Sequence, residues 1–129
     1  MLSDFVQTAD WKSEKHVPVI ECVDSVAAGE AFEITVSVGK EQPHPNTTEH
    51  FIAWIALHYV PEGSKLSIEL ARCEFSAHGA SAAGPNKGPA YTDSIMKVKV
   101  KLDKPGKLYA TEFCNIHGLW ASEKAITVK

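Results

Sequence analysis

The chain has 129 residues, of which 44% are hydrophobic and 22% charged, as is ordinary for a soluble globular protein, and we expect residues 1–129 to form one domain. The net charge of −3 and the absence of a basic run, beyond the alternating lysines at 97, 99 and 101, argue against nucleic-acid binding. No apolar run approaches the roughly 18 residues of a membrane span, so we expect no membrane partner.

The cysteines indicate a reducing compartment. Cys22, Cys73 and Cys114 are widely spaced, and no Cys-x-x-Cys pair occurs, which excludes a rubredoxin-type or zinc-ribbon module. The first residues lack the basic start and apolar core of a signal peptide. An odd number of cysteines without a secretion signal fits a cytoplasmic location better than a disulfide framework.

Short apolar segments, separated by Gly, Pro and Asn clusters, follow one another along the chain. Residues 32–38 and 96–102 alternate apolar and polar side chains with a period of two, and 51–60 is apolar on both faces, as in a central strand. The predicted strands cover residues 17–23, 32–38, 51–60, 66–70, 96–102, 107–113 and 125–129. About seven short strands predict an all-β protein, an antiparallel β-sandwich of immunoglobulin-like type.

Little of the chain predicts helix. Residues 2–9 could form a short N-terminal turn, and Asn46 or Thr47 could cap one helical turn that ends at His50. The Gly/Ala/Ser-rich residues 79–88 predict a flexible loop.

The segment Cys114–Gly118 carries the strongest chemical signal. It places a thiol and the imidazole of His117 three residues apart, where a predicted strand ends and Gly118 allows a tight turn. Backbone N–H groups of such a turn could hydrogen-bond the sulfur and tune a bound metal. The alternative is an inert buried cysteine beside a surface histidine.

A second candidate is the loop that contains His44 and His50. Pro43 and Pro45 restrict the backbone around His44, which lowers the entropic cost of holding a ligand. His50 ends the predicted turn, so both rings could converge on one point. An ordinary exposed polar loop is the alternative interpretation.

The third candidate is the segment Glu14-Lys15-His16, at the start of the first predicted strand. In an extended chain Glu14 and His16 would share one face and Lys15 the other. Taken alone, this is also the pattern of a charged surface loop. His58, inside an apolar strand, and His78, beside a glycine, are interpreted as ordinary surface or satisfied core residues.

Taken together, the four histidines and one cysteine favour a metal site. One soft sulfur ligand with several imidazoles suits a redox-active first-row metal. Five ligands exceed the set of a tetrahedral structural zinc site and leave one octahedral position open, as catalysis at a metal requires.

In order and spacing these three segments resemble the superoxide reductases of the one-iron, neelaredoxin type, within the desulfoferrodoxin-like iron-binding family. The resemblance runs over essentially the whole chain. It implies an iron with four equatorial imidazoles and one axial thiolate, here His16, His44, His50, His117 and Cys114.

The resemblance also implies roles for two neighbouring residues. Glu14 corresponds to a carboxylate that can occupy the sixth position in the ferric form. Lys15 corresponds to a loop lysine that attracts superoxide and helps to protonate the peroxide. The implied activity is one-electron reduction of superoxide to hydrogen peroxide. An external rubredoxin-like donor would supply the electron, because no rubredoxin-like domain is present, and the common assembly of one-iron members is a homotetramer.

Three other interpretations stay open from the residues alone. A cupredoxin-like electron-transfer protein is also a small β-sandwich with His and Cys ligands, but blue-copper sites use two His, one Cys and usually an axial Met, and the only methionines here are Met1 and Met96. A metal-free immunoglobulin-like binding module would leave the histidines incidental. A hydrolase with Cys114 as nucleophile would need an oxyanion hole, for which no motif is evident.

Overall fold

The computed structural model describes residues 1–129 and is all-β, as predicted. A 3₁₀ turn precedes nine strands, and these strands form two sheets. The turn spans Leu2–Asp4, and the strands are β1 Val6–Gln7, β2 Val19–Glu21, β3 Ser25–Val26, β4 Phe32–Ser37, β5 Ile52–Pro61, β6 Ile68–Glu74, β7 Ile95–Val100, β8 Gly106–Cys114 and β9 Gly118–Val128. The protein contains no helix with the length and apolar character that a bilayer crossing requires.

The larger sheet has the strand order β1-β9-β8-β5-β6, with β3 also paired to β9, and the smaller sheet has the order β2-β4-β7. Every pairing is antiparallel except those of the two-residue strands β1 and β3, which run parallel to β9. The two sheets form the sandwich that the alternating strands predict, because each must bury its apolar face against another layer.

The core lies between the sheets. Alternate residues of the long strands point inward, as the period of two requires. Fifteen buried side chains form one cluster, namely Val26, Ile34, Val36, Val38, Ile52, Ile55, Leu57, Tyr59, Phe75, Met96, Leu102, Leu108, Ala110, Cys114 and Ile126. Cys114 thus belongs both to the core and to the end of β8, which gives any site built on it a rigid base.

β6 and β9 differ most from their predicted bounds. β9 begins at Gly118 rather than at 125, because residues 118–124 pair with β8 although they do not alternate apolar and polar side chains. β6 runs from Ile68 to Glu74 rather than over 66–70, and Leu66 is exposed outside it. Pairing with the neighbouring strand decides both bounds, and the local pattern does not contain that information.

The helical turn predicted to end at His50 does not form. Thr47 Oγ1 accepts the N–H of His50 at 3.0 Å, as a cap would. However, the N–H of Thr47 donates to the carbonyl of His50 at 3.0 Å, which is opposite to the direction of a helical bond. The segment is therefore an irregular loop. Residues 79–88 also form a loop, which the bond from Gly88 N–H to Gly79 O at 2.9 Å closes.

Candidate metal centre

Three segments converge where β8 turns into β9. The loop before β2 brings His16, the loop between β4 and β5 brings His50, and the β8–β9 turn brings Cys114 and His117. One possible donor atom from each of these four residues lies within 4.8 Å of the others. Residues distant in sequence thus form one cluster of three imidazoles and a thiol.

His44 lies beside this cluster. Its Nε2 is 3.5 Å from Cys114 Sγ. Its ring centroid is 4.9 Å from that of His16 and 4.6 Å from that of His50. The structure therefore brings together all five side chains for which the sequence favoured a metal-binding role.

Hydrogen bonds on the far side of two rings fix which nitrogen faces the cluster. His16 Nδ1 donates to Glu14 Oε1 at 2.7 Å, and His44 Nδ1 donates to the carbonyl of Pro45 at 2.6 Å. A carboxylate or a carbonyl only accepts, so the hydrogen of each neutral ring is on Nδ1. The Nε2 lone pairs of both rings then face the cluster, where His16 Nε2 lies 3.1 Å from His117 Nδ1. This is the usual orientation of metal-binding histidines.

The His50 ring has a buried nitrogen with nothing to bind. Its Nε2 is out of contact with solvent and has no hydrogen-bond partner. Buried polar atoms are nearly always satisfied, so an orphaned imidazole nitrogen beside a thiol and three other rings fits a metal ligand. Burial, followed by the charges of His117 and His16, lowers the pKa of His50. The ring is then neutral at neutral pH, as a ligand must be.

The His44 ring is also neutral. Burial lowers the pKa of His44 to about 4, although the hydrogen bond to the Pro45 carbonyl acts to raise it. Glycine at position 39 makes this placement possible. Gly39 has a φ of +89°, and a Cβ there would lie 2.8 Å from the backbone nitrogen of His44. Only glycine lets the chain leave β4 and return this closely.

The turn after β8 presents the sulfur. Cys114 is fully buried, and its Sγ accepts the backbone N–H of His117 at 3.3 Å. Gly118 has a φ of +83°, which closes the turn and starts β9. His117 is exposed, so the cluster lies at the surface on this side. A thiolate that accepts an N–H bond is a weaker donor to a metal, which is one way in which a protein tunes a redox site.

His16 is held from behind. Its ring stacks on the indole of Trp120 at a centroid distance of 4.9 Å and an interplanar angle of 14°. Ser122 Oγ donates to the carbonyl of Pro18 at 2.6 Å, which ties the same segment to β9. Neither Trp120 nor Ser122 was recognised from the sequence, because only the pairing of β8 with β9 brings them to His16.

Glu14 lies outside the five-residue cluster. Its Oε1 accepts both the backbone N–H of His16 at 2.9 Å and the Nδ1–H of the same residue. Burial works to raise the pKa of Glu14, but the hydrogen bonds from His16 outweigh it and lower the pKa. The carboxylate therefore stays ionised and orients a ring, while its role at a sixth position stays a prediction.

Lys15 is in a bend rather than a strand and is half-buried. Its charge contributes to the lowered pKa values of His44 and His50, behind burial and the neighbouring histidines. A loop, unlike an extended strand, allows the Lys15 charge to act on the same side as His16.

The two remaining histidines stay out of the cluster. His58 Nε2 lies 3.5 Å from Glu69 on the neighbouring strand. His78 is buried, stacks on Phe51 at a centroid distance of 3.9 Å, and its Nδ1 lies 2.7 Å from Asn46 Oδ1. His78 therefore anchors the loop that carries His44 and His50. A histidine beside a glycine gives no signal of this role in the sequence.

The desulfoferrodoxin family profile matches residues 8–123 of this chain. The chain belongs to the desulfoferrodoxin family. Neelaredoxin of Megalodesulfovibrio gigas is 56% identical over 128 residues, which cover 99% of this chain and 98% of the relative. Superoxide reductase of Pyrococcus furiosus is 50% identical and covers 95% of this chain and 97% of its own length. Similarity of this extent includes all three segments that form the cluster.

Solved structures of superoxide reductases have the same fold as this chain. A crystal structure from Thermotoga maritima superposes with a TM-score of 0.98 at 51% identity, over 100% of this chain and 98% of the other. The reduced form of superoxide reductase (neelaredoxin) from Archaeoglobus fulgidus gives 0.88 at 56% identity, over 95% and 98% of the two chains. The sandwich described above is therefore the fold of this desulfoferrodoxin family member.

Proposed function

We propose that this protein is a superoxide reductase with one iron centre, held by His16, His44, His50, His117 and Cys114. The observation that carries the proposal is the convergence of one thiol with the imidazoles, including the unpartnered Nε2 of His50. Neelaredoxin and superoxide reductase are the names of its close relatives. Four imidazoles and one thiolate suit iron, and they exceed the two-His, one-Cys set of a blue-copper site.

When bound, the iron supplies one electron to a superoxide anion, and two protons complete the conversion of superoxide to hydrogen peroxide. No oxygen is formed, which distinguishes the reaction from dismutation. The residues of this chain supply geometry and charge. The core fixes Cys114, the far-side bonds of His16 and His44 fix two rings, and the exposed side at His117 leaves access for a small anion.

Two neighbouring residues complete the proposed mechanism. Lys15, whose charge acts on His44 and His50, attracts the anion to the site and supplies a proton to the product. Glu14 accepts the Nδ1–H of His16, and in the oxidised state its carboxylate would serve as a further ligand to the iron.

The electron donor, the assembly and the location complete the proposal. A rubredoxin-like protein donates the electron, as the resemblance to one-iron superoxide reductases implies. The assembly is a homotetramer, which exposed apolar side chains such as Phe5, Val23 and Leu66 support, since a subunit interface can cover them. The location is the cytoplasm, in agreement with three free cysteines. Light scattering of the purified protein measures the assembly directly.

The experiment that tests the function combines metal analysis with spectroscopy. Protein from its native source should contain one iron per chain and, when oxidised, show a ferric–thiolate charge-transfer band. Cys114→Ser should remove the band and most of the reductase activity. The control Cys73→Ser should keep both, because Cys73 lies on β6, away from the cluster. Stoichiometric zinc or type-1 copper in the native protein, or a band that survives Cys114→Ser, would overturn the proposal.

A further inference from the structure

Asn115 connects two of the three segments that form the metal centre. Its Nδ2 donates to the carbonyl of Glu49 at 2.9 Å, and its Oδ1 accepts the N–H of Phe51 at 2.8 Å. Its own backbone N–H donates to the carbonyl of Phe51 at 3.2 Å. The three hydrogen bonds of Asn115 thus hold the residues immediately before and after His50.

The two side-chain bonds extend the β5–β8 ladder beyond its last backbone bond, from Asn115 N–H to the Phe51 carbonyl. The pairing of β5 with β8 is irregular between Ile52 and Trp54 and ends with Ile52 opposite Cys114. Beyond this pair β8 enters its turn, so no strand faces residues 49–51. The Asn115 amide offers one acceptor and one donor, as a peptide group does, and satisfies the N–H and C=O groups that a strand would have satisfied.

The position of Asn115 links this local bond pattern to the centre. Cys114 precedes it and His117 follows two residues later, while His50 lies between its two side-chain partners. We propose that Asn115 is a positioning residue, which holds the His50 ring at a fixed distance from the Cys114 sulfur and the His117 ring. It acts through the backbone and makes no contact with the reacting atoms.

The first test uses the metal-free and the zinc-loaded full-length protein, so it does not depend on the proposed function. Hydrogen exchange of the Phe51 amide, followed by NMR, reports the bond to Asn115 Oδ1. Asn115→Ala should speed this exchange about tenfold or more, because a surface hydrogen bond is lost. Asn115→Asp keeps the acceptor and should leave the Phe51 amide protected, while it removes the bond to the Glu49 carbonyl.

The second test uses the iron- or cobalt-loaded protein and rests on the proposed metal centre. Asn115→Ala should still bind one metal per chain, but its thiolate charge-transfer band should shift and broaden, with a smaller change in Asn115→Asp. The control is Ile116→Ala, which changes an exposed neighbour in the same turn and should alter neither readout.

Phe51 exchange and a charge-transfer band in Asn115→Ala that equal those of the wild type would overturn the inference. Equal effects in Ile116→Ala would do the same, because any change in the turn would then suffice. Altered Phe51 exchange in a protein that never shows a ferric–thiolate band would instead remove the proposed function and leave the linkage standing. If Asn115→Ala does not fold, Asn115→Asp supplies the spectroscopic readout: its charge-transfer band should shift because the bond to the Glu49 carbonyl is lost, and an unshifted band would overturn the inference.

Discussion

Glu112 provides the sharpest prediction about stability. It lies on β8, two residues before Cys114, and its side chain has no exposed surface. Neither carboxylate oxygen has a hydrogen-bond partner. Burial, followed by the charge of Glu14, raises its pKa from 4.5 to about 9. The folded protein therefore holds a neutral carboxyl group at this position at neutral pH, whereas the unfolded chain ionises there.

The sign of the pH dependence follows from proton binding. Between pH 4.5 and about 9 the folded state keeps a proton that the unfolded state has released. The free energy of unfolding then falls as pH rises through this window, by up to ~1.4 kcal/mol per pH unit. Glu112→Gln is close in shape and does not titrate, so its stability should lack this contribution.

The measurement is urea unfolding of the wild type and Glu112→Gln, with matched iron content, from pH 5.5 to 7.5. The advantage of Glu112→Gln in free energy of unfolding should grow by about 2–3 kcal/mol over this range, while other titrating groups cancel in the difference. The control Glu123→Gln, at an exposed carboxylate that pairs with Lys107, should change stability by less than ~1 kcal/mol. Parallel pH curves for Glu112→Gln and the wild type would refute the reasoning.

Three further predictions concern the centre. Glu14→Ala should leave the reaction of the reduced protein with superoxide nearly unchanged but alter the spectrum of the oxidised protein and its affinity for added anions; no change in either would remove Glu14 from the coordination sphere. Lys15→Ala should slow the second-order reaction with superoxide and flatten its dependence on ionic strength at unchanged iron content, because a charge at the rim acts within a Debye length of about 8 Å. Equal rates and salt slopes would contradict steering. Gly63→Ala should lower the free energy of unfolding by the ~1–2 kcal/mol of positive-φ strain alone. Gly39→Ala should lower it by more and also weaken metal binding, because only at Gly39 would a Cβ meet the His44 backbone. Equal losses in the two variants would show that strain alone acts.

The sequence by itself determined the class of the fold and the candidate ligands. Alternation in residues 32–38 and 96–102 predicts β4 and β7 closely, because a strand with one buried face must repeat every second residue. Gly118 marks the turn that follows Cys114 and His117, because glycine readily adopts the positive φ of +83° that other residues rarely reach. Local chemistry of this kind is visible in a single segment of chain.

Only the tertiary structure decided which neighbours hold those ligands. The start of β9 at Gly118, the anchoring of the His44–His50 loop by His78, and the stacking of Trp120 on His16 all depend on partners distant in sequence. Burial decided the protonation of two side chains. Glu112, which would ionise in water, is neutral, and His44, which would titrate near neutral pH, stays unprotonated. Desolvation by the packed chain sets these charges, and no local pattern of residues reports how closely the chain packs.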